Sequence, residues 1–427
     1  MGGAPIKVRH RRSIPIARNN AEGDAMLSKK SAGPFRSAPV RTWWIAAATL
    51  GLLAAPARAD ELKVGLSGAL TGPAAALGLG MKSGIEAYFA RVNAAGGVHG
   101  RTLKLIALDD GYEPARAGSN MHKLIDEDKV FAVLGNPGTP TAAVSVPIAN
   151  AKHVPFFGAF TGAGLLRKTP PDRYVINFRA SYGQETAEMV RGITELGIKP
   201  EEIAFFTQND AYGDAGYNGG IAALKKAGYA DAERLPHARY PRNTVDVENA
   251  VARLLDPTLQ PRAIIMIGAY KPCAKFIRLA RRHGMRAVFV NVSFVIGDSL
   301  LRELAGDAEG VVVTQVVPPI DSELAAVREY RDAVAAGERS FVSLEGFLAA
   351  RAFVEGLRRA GPGATPDRFI DALEAAGPID LGLGEPLEVT KTRHQLSNRV
   401  WPTIIEGGKF RLLGDWRAAA RAFGGAR

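Results

Sequence analysis

The chain alternates short apolar runs with stretches of helical length, and this alternation constrains the fold more than any other feature. Runs that are apolar almost throughout are typical of strands buried on both faces of a parallel sheet. Such runs stand at 62–66, 102–108, 130–134 and 154–157, and stretches with helical spacing lie at 77–93, 113–126 and 139–150. The pattern predicts repeated βα units.

A second series of the same kind follows. Its strand candidates are 203–207, 263–267, 287–290 and 311–316, and its helix candidates are centred on 215–226, 245–255, 272–283 and 298–305. Two series in a chain of 427 residues predict an α/β protein with two doubly wound lobes, each with a parallel sheet covered by helices. Two long helical stretches, 322–336 and 343–360, then return to the first lobe, and 400–409 predicts a terminal hairpin.

Residues 1–59 have the pattern of a secretory signal peptide. Basic residues precede the apolar run Trp43–Ala55, and small residues stand at both cleavage positions of Ala57-Arg58-Ala59. A run of 13 residues is short for a membrane anchor, since a span needs about 20. Met26 is an alternative start of the chain. Cleavage after Ala59 predicts a soluble exported protein that begins at Asp60, with no stable membrane insertion.

The net charge of +11 is concentrated in that leader. Residues 1–59 contain ten Lys or Arg and two acids, whereas the remaining residues contain 44 and 41 and carry a net charge of only +3. A nearly neutral body lacks the basic surface that phosphate backbones require. We therefore expect no nucleic-acid partner, and we expect a monomer.

The motifs of catalysis and cofactor binding are missing from the sequence. It has no P-loop, no dinucleotide fingerprint at a first strand-to-helix turn, no nucleophile elbow and no zinc motif. The pair Asp109-Asp110 is interpreted as helix capping and loop hydrogen bonding, and the single cysteine, Cys273, as a buried apolar residue. We expect no cofactor, no metal and no enzymatic activity; an enzyme on a doubly wound scaffold is the remote alternative.

Hydroxyl and small residues follow two neighbouring strands instead. The loop 135–141 contains Thr139, predicted to cap a helix that Pro140 begins, and the loop 158–162 contains Thr161. Ligands of open α/β sheets bind at the carboxyl ends of strands, and helix N-termini favour anions there. The two loops together favour a carboxylate site.

Longer segments resemble the leucine/isoleucine/valine-binding proteins of ABC transporters. The resemblance rests on 62–73 (LKVGLSGALTGP), Gly84 with the helix to 93–101 (NAAGGVHGR), and 105–110 (LIALDD), and continues through 133–135, 154–157, 209–213 (NDAYG) and 306–310 (GDAEG). It spans nearly all of 62–415. It implies the type I periplasmic binding protein fold, with lobes 60–180 plus 317–390 and 181–316 plus 391–427 joined by a three-crossover hinge.

The resemblance also implies the ligand contacts. The positions that bind the ligand carboxylate and ammonium fall at Thr139, the backbone of Ala159, and Thr161. The aromatic residue that covers the ligand from the second lobe falls at Tyr212, and Tyr270 matches a second cleft position. The alternative for each tyrosine is packing at a lobe surface.

One position departs from the family. Where its amino-acid binders commonly place a glutamate that pairs the ligand ammonium, this chain has Ser293. A buried ammonium without a carboxylate is costly. Either another acid, such as Glu345 or Asp298, serves, or the ligand has no ammonium. The small residues of the loop 73–78 also indicate room for a larger ligand side chain.

The sequence thus predicts a periplasmic solute-binding protein. It would capture a small carboxylated ligand, a branched-chain or other amino acid or a related acid, by lobe closure, and deliver it to an inner-membrane ABC permease. An extracytoplasmic ligand sensor with the same fold is the alternative.

Overall fold

A computed structural model describes residues 60–417. The predicted signal peptide and its cleavage site at Ala59 lie outside the described residues. Within 60–417, no helix combines the length and apolar character needed to span a bilayer.

The first lobe is built on a five-stranded parallel sheet of order β2-β1-β3-β4-β5. The chain forms β1 (Glu61–Gly68), α1 (Ala75–Ala94), β2 (Thr102–Asp109), α2 (Pro114–His122), β3 (Ala132–Leu134), α3 (Thr139–Ala151), β4 (Phe156–Phe157) and β5 (Val175–Ile176). Strands β3 to β5 are buried on both faces, as their apolar runs require.

The second lobe has a seven-stranded sheet of order β12-β11-β10-β9-β8-β6-β7. Its elements are α4 (Tyr182–Glu195), β6 (Ile203–Gln208), α5 (Ala211–Lys226), β7 (His237–Tyr240), α6 (Glu248–Leu254), β8 (Ala263–Ile267), α7 (Tyr270–Arg282), β9 (Val288–Asn291), α8 (Gly297–Leu304), β10 (Val312–Gln315), β11 (Trp401–Glu406) and β12 (Lys409–Leu412). The predicted terminal hairpin is present, and it adds β11 and β12 antiparallel to the edge of the sheet.

Three more helices, α9 (Ala325–Ala333), α10 (Phe341–Ala360) and α11 (Pro366–Glu374), pack on the first lobe. Helix α10 packs against α1 so closely that the backbones touch at two glycines. A Cβ at Gly84 would stand 1.9 Å from the Ser343 carbonyl oxygen, and a Cβ at Gly346 would stand 2.5 Å from the Met81 carbonyl oxygen. The predicted return of the chain is therefore correct.

The chain crosses between the lobes three times, after β5, after β10 and before β11. The first and third crossovers run side by side: Asn177 N donates to His394 O at 2.9 Å, and Leu396 N donates to Asn177 O at 2.9 Å. The crossovers that flank the cleft are thus held together by backbone hydrogen bonds.

Candidate ligand-binding cleft

Thr139 and Thr161 lie together at the carboxyl edge of the first sheet. Their hydroxyl oxygens are 2.7 Å apart and both side chains are fully buried. Ala159 belongs to the same turn, since Thr161 N donates to Ala159 O at 2.8 Å. The three positions predicted to hold the ligand carboxylate and ammonium therefore lie at one place.

The structure corrects the predicted role of Thr139 as a helix cap. Helix α3 begins at Thr139 itself, its cap is Gly138, and no side chain makes the capping bond. Gly138 has φ of +105°, and a Cβ there would stand 2.3 Å from the Tyr112 ring. The first N–H groups of a helix have no partner within the helix, so a helix end of this kind favours a negative charge. Thr139 stands at that end of α3.

Tyr212 approaches from the second lobe at the start of α5. The Asp210 carboxylate caps this helix by accepting from Tyr212 N at 2.9 Å. The Tyr212 hydroxyl donates to Gly268 O at 3.3 Å, and its ring centroid lies 4.4 Å from that of Phe294.

Five aromatic side chains meet where the lobes touch; we call them the aromatic cluster. They are Tyr112 and Phe160 of the first lobe and Tyr182, Tyr212 and Phe294 of the second. Phe294 is the centre, with ring centroids 5.4 Å from Phe160, 6.0 Å from Tyr112 and 4.4 Å from Tyr212. The sequence prediction included only Tyr212. Phe160 and Phe294 stand directly beside the predicted Ala159, Thr161 and Ser293, and that adjacency was the available signal.

Tyr270 is the first residue of α7 and is buried. Burial raises the pKa of its hydroxyl, and the backbone of Ala76 in the first lobe lowers it in part. The loop 73–78 lies nearby, since Pro73 and Ala74 line a small cavity together with Ala269, the residue before Tyr270. Beside that loop the free volume is only about 10 Å³, about one water molecule, because Tyr112, Gln208 and Tyr240 fill the space.

Ser293 begins a 3₁₀ turn shortly after β9, and its polar atoms bind other residues of the chain. Its backbone N–H donates to Glu185 Oε2 at 2.7 Å, and its hydroxyl donates to Glu185 Oε1 at 3.0 Å. The same hydroxyl oxygen accepts from Arg179 Nη2. Arg179, which the sequence analysis missed, follows the two-residue strand β5 and is fully buried.

Arg179 lies between two buried glutamates, one from each lobe. Its guanidinium nitrogens are 3.6 Å from Glu185 Oε1 and 3.6 Å from Glu345 Oε1, and its guanidinium carbon is 4.5 Å from the centre of the Phe160 ring. Burial raises the pKa of Glu345 to about 7, although Arg179 opposes that shift. Burial likewise raises the pKa of Glu185.

A clasp of Glu113, Arg242 and Asn243 joins the lobes at the rim of the cleft. Glu113 accepts from Arg242 Nη2 at 2.8 Å and from Asn243 Nδ2 at 2.6 Å, and Asn243 Nδ2 also donates to Gly111 O at 3.1 Å. The lobes are therefore held in contact by polar bonds at the rim as well as by rings inside.

The other acids and the cysteine have structural contacts. Asp109 accepts from Leu70 N and Thr71, and Asp110 accepts from Ser67 Oγ at 2.8 Å, which confirms loop hydrogen bonding. Neither caps α2, since that helix has no side-chain cap. Cys273 is buried as predicted. Across 60–417, no three His, Cys, Asp or Glu residues form a potential metal site.

Comparison with known proteins assigns the chain to a family. A family model described as periplasmic binding protein matches residues 61–409. The chain belongs to the periplasmic binding protein family. The predicted resemblance is thereby confirmed.

Curated members of the family are distant in sequence. The Leu/Ile/Val-binding protein of Escherichia coli K12 is 24% identical over 61% of this chain and 68% of its own length. The leucine-, isoleucine-, valine-, threonine-, and alanine-binding protein of Pseudomonas aeruginosa is 26% identical over 74% of this chain and 83% of its own length.

Solved members of this periplasmic binding protein family share the fold. A possible leucine/isoleucine/valine-binding protein from Rhodopirellula baltica is 49% identical, with a TM-score of 0.81 over 85% of this chain and 98% of that one. A branched chain amino acid ABC transporter protein from Thermus thermophilus with bound valine is 17% identical, with a TM-score of 0.73 over 83% and 96%, and shows the fold alone. The predicted type I fold with two doubly wound lobes is confirmed.

Proposed function

We propose that this periplasmic binding protein captures a small carboxylated ligand between its lobes and delivers it to an inner-membrane ABC permease. The observation that carries the proposal is the buried pair of hydroxyls of Thr139 and Thr161, 2.7 Å apart at the start of α3. Each hydroxyl can turn to donate to a carboxylate, and the helix end favours its negative charge.

The aromatic cluster supports an apolar ligand body. Its rings come from both lobes, so a ligand among them would gain apolar contacts only when the lobes are closed. A ligand that binds the closed form better shifts the population toward that form. The clasp of Glu113, Arg242 and Asn243 would then hold the closed form that a permease recognises.

The proposed function is ligand binding without catalysis. The names of the relatives from Escherichia coli and Pseudomonas aeruginosa describe amino-acid binding, which supports an amino acid or a related acid as the ligand. The candidate site residues are Thr139, Ala159, Thr161, Tyr212, Tyr270 and Ser293. Of these, Ser293 contributes through Arg179 and Glu185, because its own polar atoms bind them.

A thermal-shift screen with carboxylic acids and their methyl esters tests the proposal. A ligand at 100 times its dissociation constant stabilises the native state by about 2.7 kcal/mol, whereas the ester lacks the charge that the helix end selects. Stabilisation by an acid and not by its ester is the expected result. Equal effects of acid and ester would contradict the carboxylate site, and no effect from any acid in the screen would contradict the function.

A further inference from the structure

A buried guanidinium already occupies the cationic position of the cleft. Arg179 is fully buried, and its partners come from both lobes: Glu345 on α10, and Glu185 and Ser293 beyond the first crossover. The Phe160 ring covers one face of the guanidinium at 4.5 Å. The cation therefore adjoins both the loop of Thr161 and the aromatic cluster.

Two of the three acids around the cleft accept hydrogen bonds from other residues of the chain. The oxygens of Glu185 accept from Ser293 N, Ser293 Oγ and Thr314 Oγ1 at 2.7 to 3.0 Å. Asp298, one of the alternatives that the sequence suggested, accepts from Phe341 N at 2.9 Å. Glu345 Oε1 is the exception, since it has no hydrogen bond within the described residues, but it faces Arg179 Nε.

The unsatisfied groups of Arg179 are donors. Its Nε and Nη1 are buried without a hydrogen-bond acceptor among residues 60–417. An ammonium offers only donors, so it cannot satisfy them, and it would also meet the like charge of the guanidinium at close range. An oxo or hydroxyl oxygen can accept from them.

The charge of Arg179 is stable. Burial lowers the pKa of Arg179, but the carboxylates of Glu345 and Glu185 more than offset this and raise it overall. A guanidinium remains protonated in proteins. The cleft thus carries a permanent cation where the family's amino-acid binders commonly receive one from the ligand.

We infer that Arg179 supplies this cation, and that the ligand is a carboxylate with an apolar body and an oxygen, not an ammonium, on the carbon beside the carboxylate. The inference rests on the proposed function and narrows its ligand to the class of 2-oxo and 2-hydroxy acids. The carboxylate binds at Thr139 and Thr161, the body lies among the rings, and the neighbouring oxygen accepts from Arg179.

Matched ligand pairs test the inference by calorimetry on the purified full chain. The probes are leucine against 4-methyl-2-oxopentanoate and phenylalanine against phenylpyruvate. The oxo acid of at least one pair should bind at least tenfold more tightly than its amino acid. Equal binding, or tighter binding of the amino acid in both pairs, overturns the inference but leaves the proposed function intact. If no member of either pair binds, the inference fails, whereas the proposed function fails only if no acid of the thermal-shift screen stabilises the protein.

Variants of Arg179 separate recognition from a purely structural role. Arg179→Met removes both the positive charge and the N–H groups that donate to the ligand oxygen. The preference for the oxo acid over the amino acid should therefore fall at least tenfold. Arg179→Lys keeps the positive charge and should retain part of the preference for the oxo acid. If circular dichroism shows that Arg179→Met does not fold, the ratio of oxo-acid affinity to amino-acid affinity in Arg179→Lys decides. A folded Arg179 variant with the wild-type ratio would overturn the role of Arg179.

Discussion

The hydroxyl oxygens of Thr139 and Thr161 face each other at 2.7 Å, although 22 residues separate them in the chain. Thr139 begins the helix that follows β3, and Thr161 lies in the loop that follows β4, the neighbouring strand of the same parallel sheet. Adjacent parallel strands bring their carboxyl ends to the same edge, so the pairing follows from the sheet order.

Replacing Thr161 with Val should weaken carboxylate binding at least tenfold, which is about 1.4 kcal/mol. Val keeps the shape of the side chain but loses the hydroxyl that donates to the ligand. Calorimetry with the acid found in the screen measures the effect. The exposed Thr258→Val is the matched control. Unchanged affinity in Thr161→Val would remove this residue from the site.

Glu345 should make stability depend on pH. Burial raises its pKa in the native state to about 7 from the ordinary value of 4.5, so the native state retains a proton that the unfolded chain has lost. Stability therefore falls as pH rises through this window. From pH 5 to pH 8, the unfolding free energy of the wild type relative to Glu345→Gln should fall by roughly 2 kcal/mol.

Urea unfolding at several pH values measures this difference. The exposed Glu201→Gln controls for the loss of one acidic group. Parallel pH profiles of the wild type and Glu345→Gln would show that Glu345 titrates as it does in the unfolded chain.

The rim clasp should favour lobe closure. Glu113→Ala removes the acceptor of both Arg242 and Asn243, and it should weaken ligand binding about threefold to fivefold, since partly exposed ion pairs contribute at most about 1 kcal/mol. Small-angle X-ray scattering should show a larger radius of gyration. Glu248→Ala, which breaks an ion pair within the second lobe, should change neither quantity. A variant Glu113→Ala that closes and binds normally would contradict the role of the clasp.

Replacing Gly84, where α1 meets α10, should destabilise the protein. A Cβ at this position would stand 1.9 Å from the Ser343 carbonyl oxygen and 2.7 Å from Phe347 N, and these backbone atoms can move only if the helices separate. Gly84→Ala should lower the unfolding free energy by about 2 kcal/mol or more. Gly337→Ala, where the added Cβ meets nothing within 4 Å, should have little effect on urea unfolding. Equal stability of the two variants would contradict this close packing.

The fold was predictable where strands are buried on both faces. Such strands are continuous apolar runs, and β6 and β8 show this pattern at full burial. The edge strand β7 was missed because it alternates, with His237 and Arg239 only half-buried. Strand β5 was missed because two residues carry no periodicity.

The sequence by itself determined the two βα series, and through them the edge at which Thr139, Ala159 and Thr161 meet, because local periodicity specifies strands and the carboxyl ends of parallel strands converge. Only the tertiary structure decided the electrostatics. Arg179 meets Ser293 across 114 residues. A buried charge is stable only beside its countercharges, and those partners are brought together by long-range packing, which no local pattern records.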